Sequence, residues 1–201
     1  MTGRGLFWPR LATSAERRTE EARERHDKAD AFRRAMMPHM DAAYTLARYL
    51  TRDPSAAEDI VQDAYLRAFR SFDTWRGEAA KPWLLRIVRN CFLNSVGTPA
   101  ERMPGRPVHE IVNELPDALI ETATPESVAG DRSEAAMLRA MIQQIPEPFR
   151  ETLILRELEE LSYKEIAAIA QVPIGTIMSR LARARQMLAD LLLPEARKAR
   201  S

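Results

Sequence analysis

The stretch from about Gly97 to Asp131 limits what this chain can fold into more than any other feature. Pro99, Pro104, Pro107, Pro116 and Pro125 fall within it, together with Gly105 and Gly130. Proline fixes φ and has no amide donor, so a proline spacing of this kind breaks long helices and central strands. A connection of roughly 35 residues is also too long for the inside of one compact domain. The stretch therefore reads as a flexible linker, with a short apolar segment around Ile111 to Ile120. Each flanking block must then build its own core.

What remains favours helices. Glycine is scarce, at 7 of 201 residues, and aromatics make up 6%. Ala, Leu, Arg and Glu dominate, and all are good helix formers. This composition points away from barrels, sandwiches and glycine-rich phosphate loops. Lys and Arg number 30 against 29 Asp and Glu, a balance unlike that of a histone-like protein. Cys91 is the single cysteine, so no intramolecular disulfide framework forms. With His26, His39 and His109 scattered, no typical structural zinc site is available either. The Leu6-Phe7-Trp8 cluster is too short for a signal-peptide core. No stretch approaches the ~18 apolar residues of a membrane span. The expectation is a cytoplasmic, all-α chain of two small helical domains, the second a helix-turn-helix, with no cofactor and no metal.

Within the first block, residues Ser14 to about Lys28 are almost all Arg, Glu, Ala and Thr. They fit a solvated helix or a disordered arm, and the arm is the favoured reading. From Asp30, Phe32, Met36, Met40, Tyr44, Ala47 and Leu50 recur at helical spacing, and Pro38 predicts a kink or break. Asp53-Pro54 reads as an N-cap followed by proline in the first helical position. The helix it opens is apolar at Ile60, Val61, Ala64, Tyr65, Ala68, Phe69 and Phe72. Its other side carries Glu58, Asp59, Gln62 and Asp63, either a plain solvated face or a docking surface for a basic partner. Trp75 to Glu78 is a loop, and Pro82 suits the start of a third helix. That helix sets Trp83, Leu84, Ile87, Val88 and Cys91 against Arg86, Arg89, Asn90 and Asn94. With Trp75, Arg76 and Lys81 beside it, this mixture of aromatic, basic and amide groups suits unstacked single-stranded bases. Core packing is the competing reading for Trp83, and for Trp75 both stay open.

In the second block, Ala135 to Ile145 is predicted helical, with Leu138, Met141, Ile142 and Ile145 inward. Pro146-Glu147-Pro148 is a turn, and Phe149 to Leu158 the next helix. Ser162-Tyr163-Lys164-Glu165 has the form of a capping box. The helix it opens breaks at Gln171-Val172-Pro173, and another runs from near Gly175-Thr176 to about Leu192. Ala167 at the crossing, with Ile166, Val172, Ile177 and Leu181 in the seam, suggests helix-turn-helix. The last helix carries Thr176, Ser179, Arg180, Arg183 and Arg185 with no acid before Asp190. Such side chains suit phosphates and base edges in a major groove. A basic solvated helix is the plainer alternative.

An acidic helix, a Trp/Arg/Asn helix, a linker and a basic helix-turn-helix together resemble the extracytoplasmic-function (ECF) group of bacterial RNA polymerase sigma factors. Four strings carry the resemblance: residues 57–68 (AEDIVQDAYLRA), 83–90 (WLLRIVRN), 161–167 (LSYKEIA) and 173–185 (PIGTIMSRLARAR). It covers about Asp30 to Ser95 and Ala135 to Leu193. The division it implies is a charged extension over 1–29 and a region 2-like domain over 30–96. A linker over 97–133, a region 4-like domain over 134–194 and a basic tail over 195–201 follow.

The resemblance also implies roles. Asp59, Gln62, Asp63 and Leu66 would dock on the clamp helices of the polymerase largest subunit. Trp75, Arg76, Lys81, Arg86, Asn90 and Asn94 would capture the melted minus-ten element. Thr176, Met178, Ser179, Arg180, Arg183 and Arg185 would read or clamp the minus-thirty-five element as duplex. The linker would thread toward the active-site cleft and RNA exit path of the polymerase, next to the second-largest subunit. An anti-sigma factor covering both blocks is a further implied partner. Met178 departs from the Lys or Arg of some members and is of a size to touch a thymine methyl. No further C-terminal domain is expected. The competing functional class is a free-standing helix-turn-helix regulator, which has no need of the Asp59–Asp63 face or the Trp/Asn helix. An all-helical enzyme lacks any acid, base, nucleophile or metal constellation.

Overall fold

The computed structural model describes residues 14–77, 79–96 and 132–198; the proline-bearing stretch, with its Ile111–Ile120 segment, and the extreme termini lie outside it. Among the described residues, eight α-helices and two short 3-10 turns account for all regular structure. The first block holds α1 (Ser14–Met36), α2 (Met40–Thr51), α3 (Pro54–Ser71) and α4 (Ala80–Val96). The second holds α5 (Arg132–Gln144), α6 (Glu147–Glu157), α7 (Tyr163–Ala170) and α8 (Ile174–Lys198).

Local chemistry explains most of the boundaries. Pro38 ends α1, and the chain passes through a 3-10 turn over Met37–His39 before α2. Asp53 caps α3 by accepting from the Ala56 amide at 3.3 Å, with Pro54 as the first helical residue. Ser162 and Glu165 close the capping box at both ends: Ser162 Oγ accepts from the Glu165 amide, and Glu165 Oε2 accepts from the Ser162 amide at 2.8 Å. Arg52 and Gln171 end α2 and α7 in the left-handed conformation, at φ of 63° and 55°. Arg150, 2% exposed, donates to the Ile145 carbonyl at 2.6 Å and ties the end of α5 to α6.

The N-terminal segment departs from the favoured expectation, because α1 is helical from Ser14. Ala29, Phe32 and Met36 recur at helical spacing and are all buried. Their packing supplies the costly nucleus, from which Arg, Glu and Ala propagate the helix backwards. Lys28 pairs with Asp73 and lies 5.4 Å from the Phe69 ring centre, pinning the same turn. A second departure is Leu138, which is 41% exposed while Met141, Ile142 and Ile145 are buried. Residues 135–140 of α5 are all exposed, and the buried part of its stripe begins at Met141. The last helix also runs past Leu192 to Lys198.

The first-block core is rich in aromatics. Phe32 meets Tyr65, Phe69 and Phe72 edge-on at 6.1, 5.2 and 5.3 Å between ring centres. The second-block core is aliphatic, built on Ile145, Ile154, Leu155, Ile166, Ile169, Ile177 and Leu181. The two cores meet. Helix α4 packs on α7 and α2 packs on α6, so one apolar cluster runs across both blocks.

Candidate functional site

Three surfaces emerge. The first is the acidic side of α3. Ile60, Val61, Ala64, Tyr65 and Ala68 point into the core, so Glu58, Asp59 and Gln62 are turned outward and exposed. Asp63 is partly shielded, and its carboxylate takes Arg67 one turn on, at 2.9 and 3.0 Å. Leu66, four residues after Gln62 and seven after Asp59, falls on the same side of α3 as they do, yet it is only 2% exposed and offers little side chain to that surface. The face is thus Asp59 and Gln62, edged by the Asp63–Arg67 pair.

The second surface surrounds the start of α4. A 3-10 turn over Phe72–Thr74 and Gly77, at φ of +75°, reverse the chain between α3 and α4. Trp75 stacks on Phe72 at 5.4 Å and leans on Trp83 at 6.4 Å between ring centres. Both indoles are half-buried against the core. Trp75 is therefore anchored rather than freely open, and its buried Nε1 has no acceptor. Arg76, Arg86 and Asn90 are exposed, and Asn94 is partly so. Lys81 is turned away from them: its Nζ donates to the Glu159 carbonyl at 2.9 Å and lies 2.7 Å from the Glu159 carboxylate.

The third surface is the first half of α8. Ile177, Leu181 and Ala184 face inward. That burial turns Met178, Ser179, Arg183 and Arg185 to the outside and leaves Thr176 and Arg180 partly exposed. The expected seam forms, with Ile166, Ala167, Ile177 and Leu181 buried and Val172 half-buried. Ser179 turns its hydroxyl back to the Thr176 carbonyl at 3.0 Å. Arg185 reaches Glu157 through two donors at 2.6 and 3.0 Å, and this pairing favours its charged form.

Sequence reasoning missed the acids that answer these cations. Glu151 is 1% exposed and accepts from Arg89 Nε at 2.5 Å, across the two blocks. Burial pushes its carboxyl upward, while Arg89 and the nearby Arg180 oppose that shift. No local signal could have found this pair, since the partners stand 62 residues apart. Cys91 is a core thiol, as expected, and burial lifts it to about 12. Among the described residues, no cluster of metal-ligating side chains occurs, and no helix is long and apolar enough to cross a membrane.

Two family models match the chain: sigma-70 region 2 over residues 35–98, and sigma-70 region 4 over residues 135–188. The RNA polymerase sigma-H factor of Pseudomonas aeruginosa is 32% identical over 193 residues, 94% of this chain and all of that protein. The ECF RNA polymerase sigma factor SigE of Mycolicibacterium smegmatis is 37% identical over 155 residues. That match spans 77% of this chain but only 58% of the relative. Among solved structures, the sigma factor RpoE of Bartonella quintana, in complex with the anti-sigma factor NepR, superposes with a TM-score of 0.62 at 26% identity. The superposition covers 81% of this chain and 96% of that one.

Proposed function

Because the chain belongs to the sigma-70 family of RNA polymerase sigma factors, in its ECF group, we propose that it docks on core RNA polymerase and directs promoter recognition, melting and transcription initiation. One observation carries the reading: a region 2 match and a region 4 match lie in one chain, and the second coincides with a capped helix-turn-helix whose last helix is basic outside and apolar inside. The chain then acts as a specificity subunit and catalyses no reaction itself. It works where polymerase and chromosome are, in the cytoplasm, and an anti-sigma factor holds it in check.

The division of labour follows from the chemistry of the two forms of DNA. Duplex sequence is read from the major groove by a helix. Met178 and Arg183 are exposed for this, with Ser179 beside them able to accept while its hydroxyl donates to the Thr176 carbonyl, Thr176 and Arg180 at the edge and Arg185 available once Glu157 releases it. Melted bases need stacking surfaces and amide groups. Arg76, Arg86, Asn90 and Asn94 supply the polar part, and the Trp75–Trp83 wall the apolar part. Asp59 and Gln62, bordered by Asp63, form the face that meets the polymerase.

The test is in vitro transcription with purified core polymerase on a pool of genomic promoters. Initiation that requires both components is the expected result; duplex binding by the chain alone without initiation would transfer it to the free-standing regulators. Asp59→Arg is expected to weaken capture of core polymerase with the helical content unchanged. Arg183→Ala is expected to erase protection over the minus-thirty-five element.

A further inference from the structure

The outward side of α8 carries two rows of opposite character. Ser179 and Arg183 stand four residues apart and form a polar row, both exposed. Beside it runs an apolar row of the same spacing, Ile174, Met178 and Ala182. Ile174 is 46% and Met178 55% exposed, and Ala182 is exposed as well. The buried face of the helix lies elsewhere, at Ile177, Leu181 and Ala184. The apolar row is therefore no part of the core. It lies in the open on a helix whose other long exposed side chains, Arg183, Arg185 and Gln186, are polar.

Much of the hydrogen-bonding capacity around that row is already engaged. Arg185 is held by Glu157 through donors at 2.6 and 3.0 Å. Gln186, four residues beyond Ala182, donates to Asp190 at 2.9 Å. Ser179 donates its hydroxyl to the Thr176 carbonyl. Met178 and Ala182 can discriminate between bases only by apolar contact. In the major groove the base edges present donors, acceptors and one apolar group, the 5-methyl of thymine. A methionine pressed on a donor or acceptor strips its water and returns nothing. Pressed on a methyl, it removes apolar surface from water on both sides. Met178 and Ala182 are about 6 Å apart along the axis, at about 1.5 Å per residue. That is close to two base-pair steps of about 3.4 Å each.

We infer that Met178 and Ala182 are specificity residues that read the 5-methyl groups of two thymines, within two base-pair steps of each other, in the minus-thirty-five duplex. The inference rests on the sigma-factor reading and deepens it by the chemistry of the element. The occupant of the apolar row is duplex DNA because the row is continuous with Arg183, which lies one residue from Ala182 on the exposed side. Arg183 draws in the phosphates that position a duplex, and the row then reads what that duplex carries. Ala182 enters the reading surface through its place on the helix, one turn after Met178 and beside Arg183. An alanine there is short enough for the helix to come close to the base edges.

The experiment uses the chain assembled with core RNA polymerase and a promoter recovered in the transcription assay. Each thymine of the minus-thirty-five element, on either strand, is replaced in turn by deoxyuridine, which lacks only the methyl. Two replacements, within two steps of each other, are expected to weaken binding by about fourfold each, the worth of one buried methyl. Met178→Ala is expected to abolish the preference for thymine at one of these positions and Ala182→Gly at the other. Both sites are exposed, and the thymine-to-uracil ratio is read within one variant, so any change in helix stability cancels. Wild-type affinity indifferent to every replacement would overturn the inference, and that result needs no variant. So would methyl sensitivity that survives in both variants, or a recovered element with no thymine on either strand. If transcription initiates while the replacements have no effect, the methyl reading fails and the sigma-factor reading stands. If no initiation occurs, the sigma-factor reading fails and this inference falls with it.

Discussion

Helices α4 and α8 carry similar cations but hold them in opposite ways. On α4, Lys81 and Arg89 turn into the contact between the blocks and meet shielded carboxylates. On α8, Arg183 stays outside and Arg185 meets Glu157 in the open, with side-chain exposures of 53% and 44%. The difference teaches that basic composition alone does not say what a helix is free to bind. A shielded ion pair couples the fold to the state of the surface, whereas an exposed pair merely decorates it.

The sharpest way to break this comparison is to remove one acid from each pair. Glu151→Ala strands Arg89 beside an apolar cluster and is expected to lower unfolding stability by about 3–5 kcal/mol in denaturant titration. Glu157→Ala is expected to leave the midpoint unmoved, since both partners already face water. Neighbours on α8 make the next contrast. Ile177→Ala, at a site with no exposure, should cost about 3 kcal/mol, and Met178→Ala, at 55% exposure, nothing measurable. A drop for Met178 equal to that for Ile177 would mean that the helix faces are misassigned.

A smaller effect sits at the α7 cap. Ser162→Ala should cost about 1 kcal/mol at neutral pH. Hydrogen bonds from Ser162 hold the Glu165 carboxyl below its ordinary value of 4.5. A depressed carboxyl contributes stability above that ordinary value and loses it as pH falls through the lowered one. The gap between wild type and variant should therefore narrow below about pH 4 in acid unfolding curves. The smallest signal is chemical. Cys91, lifted to about 12, should react with thiol reagents at pH 8 only after denaturant unfolds α4.

Features encoded within a few residues were legible before any coordinates. Asp53-Pro54 and Ser162-Glu165 act on their own backbone, so their spacing is their geometry. The inward faces of α3 and α8 were equally readable from periodicity. What failed depended on a neighbour distant in sequence. Leu138 continues a helical stripe, yet it stays 41% exposed. Leu66 lies beside a run of acids, yet it is buried. The segment from Ser14 looked too polar to fold, because its support comes from Phe69, Phe72 and Asp73. The pairs Arg89–Glu151 and Lys81–Glu159 span 62 and 78 residues, and no local pattern signals them.

The shielded carboxylates Glu151 and Glu159 also bear on how the chain fares amid a whole chromosome. A genome offers on the order of a million to a billion sites of indifferent sequence, and every cation that meets a phosphate there releases a counterion. With Arg89 and Lys81 held by shielded carboxylates, the unassembled chain is expected to have about two fewer counterions to release. Its salt dependence on random DNA is expected to be shallower by nearly that number, and the thermodynamic pull of the bulk chromosome weaker. A specificity subunit built in this way is drawn less to the sequence it is meant to ignore and is left for the polymerase to collect.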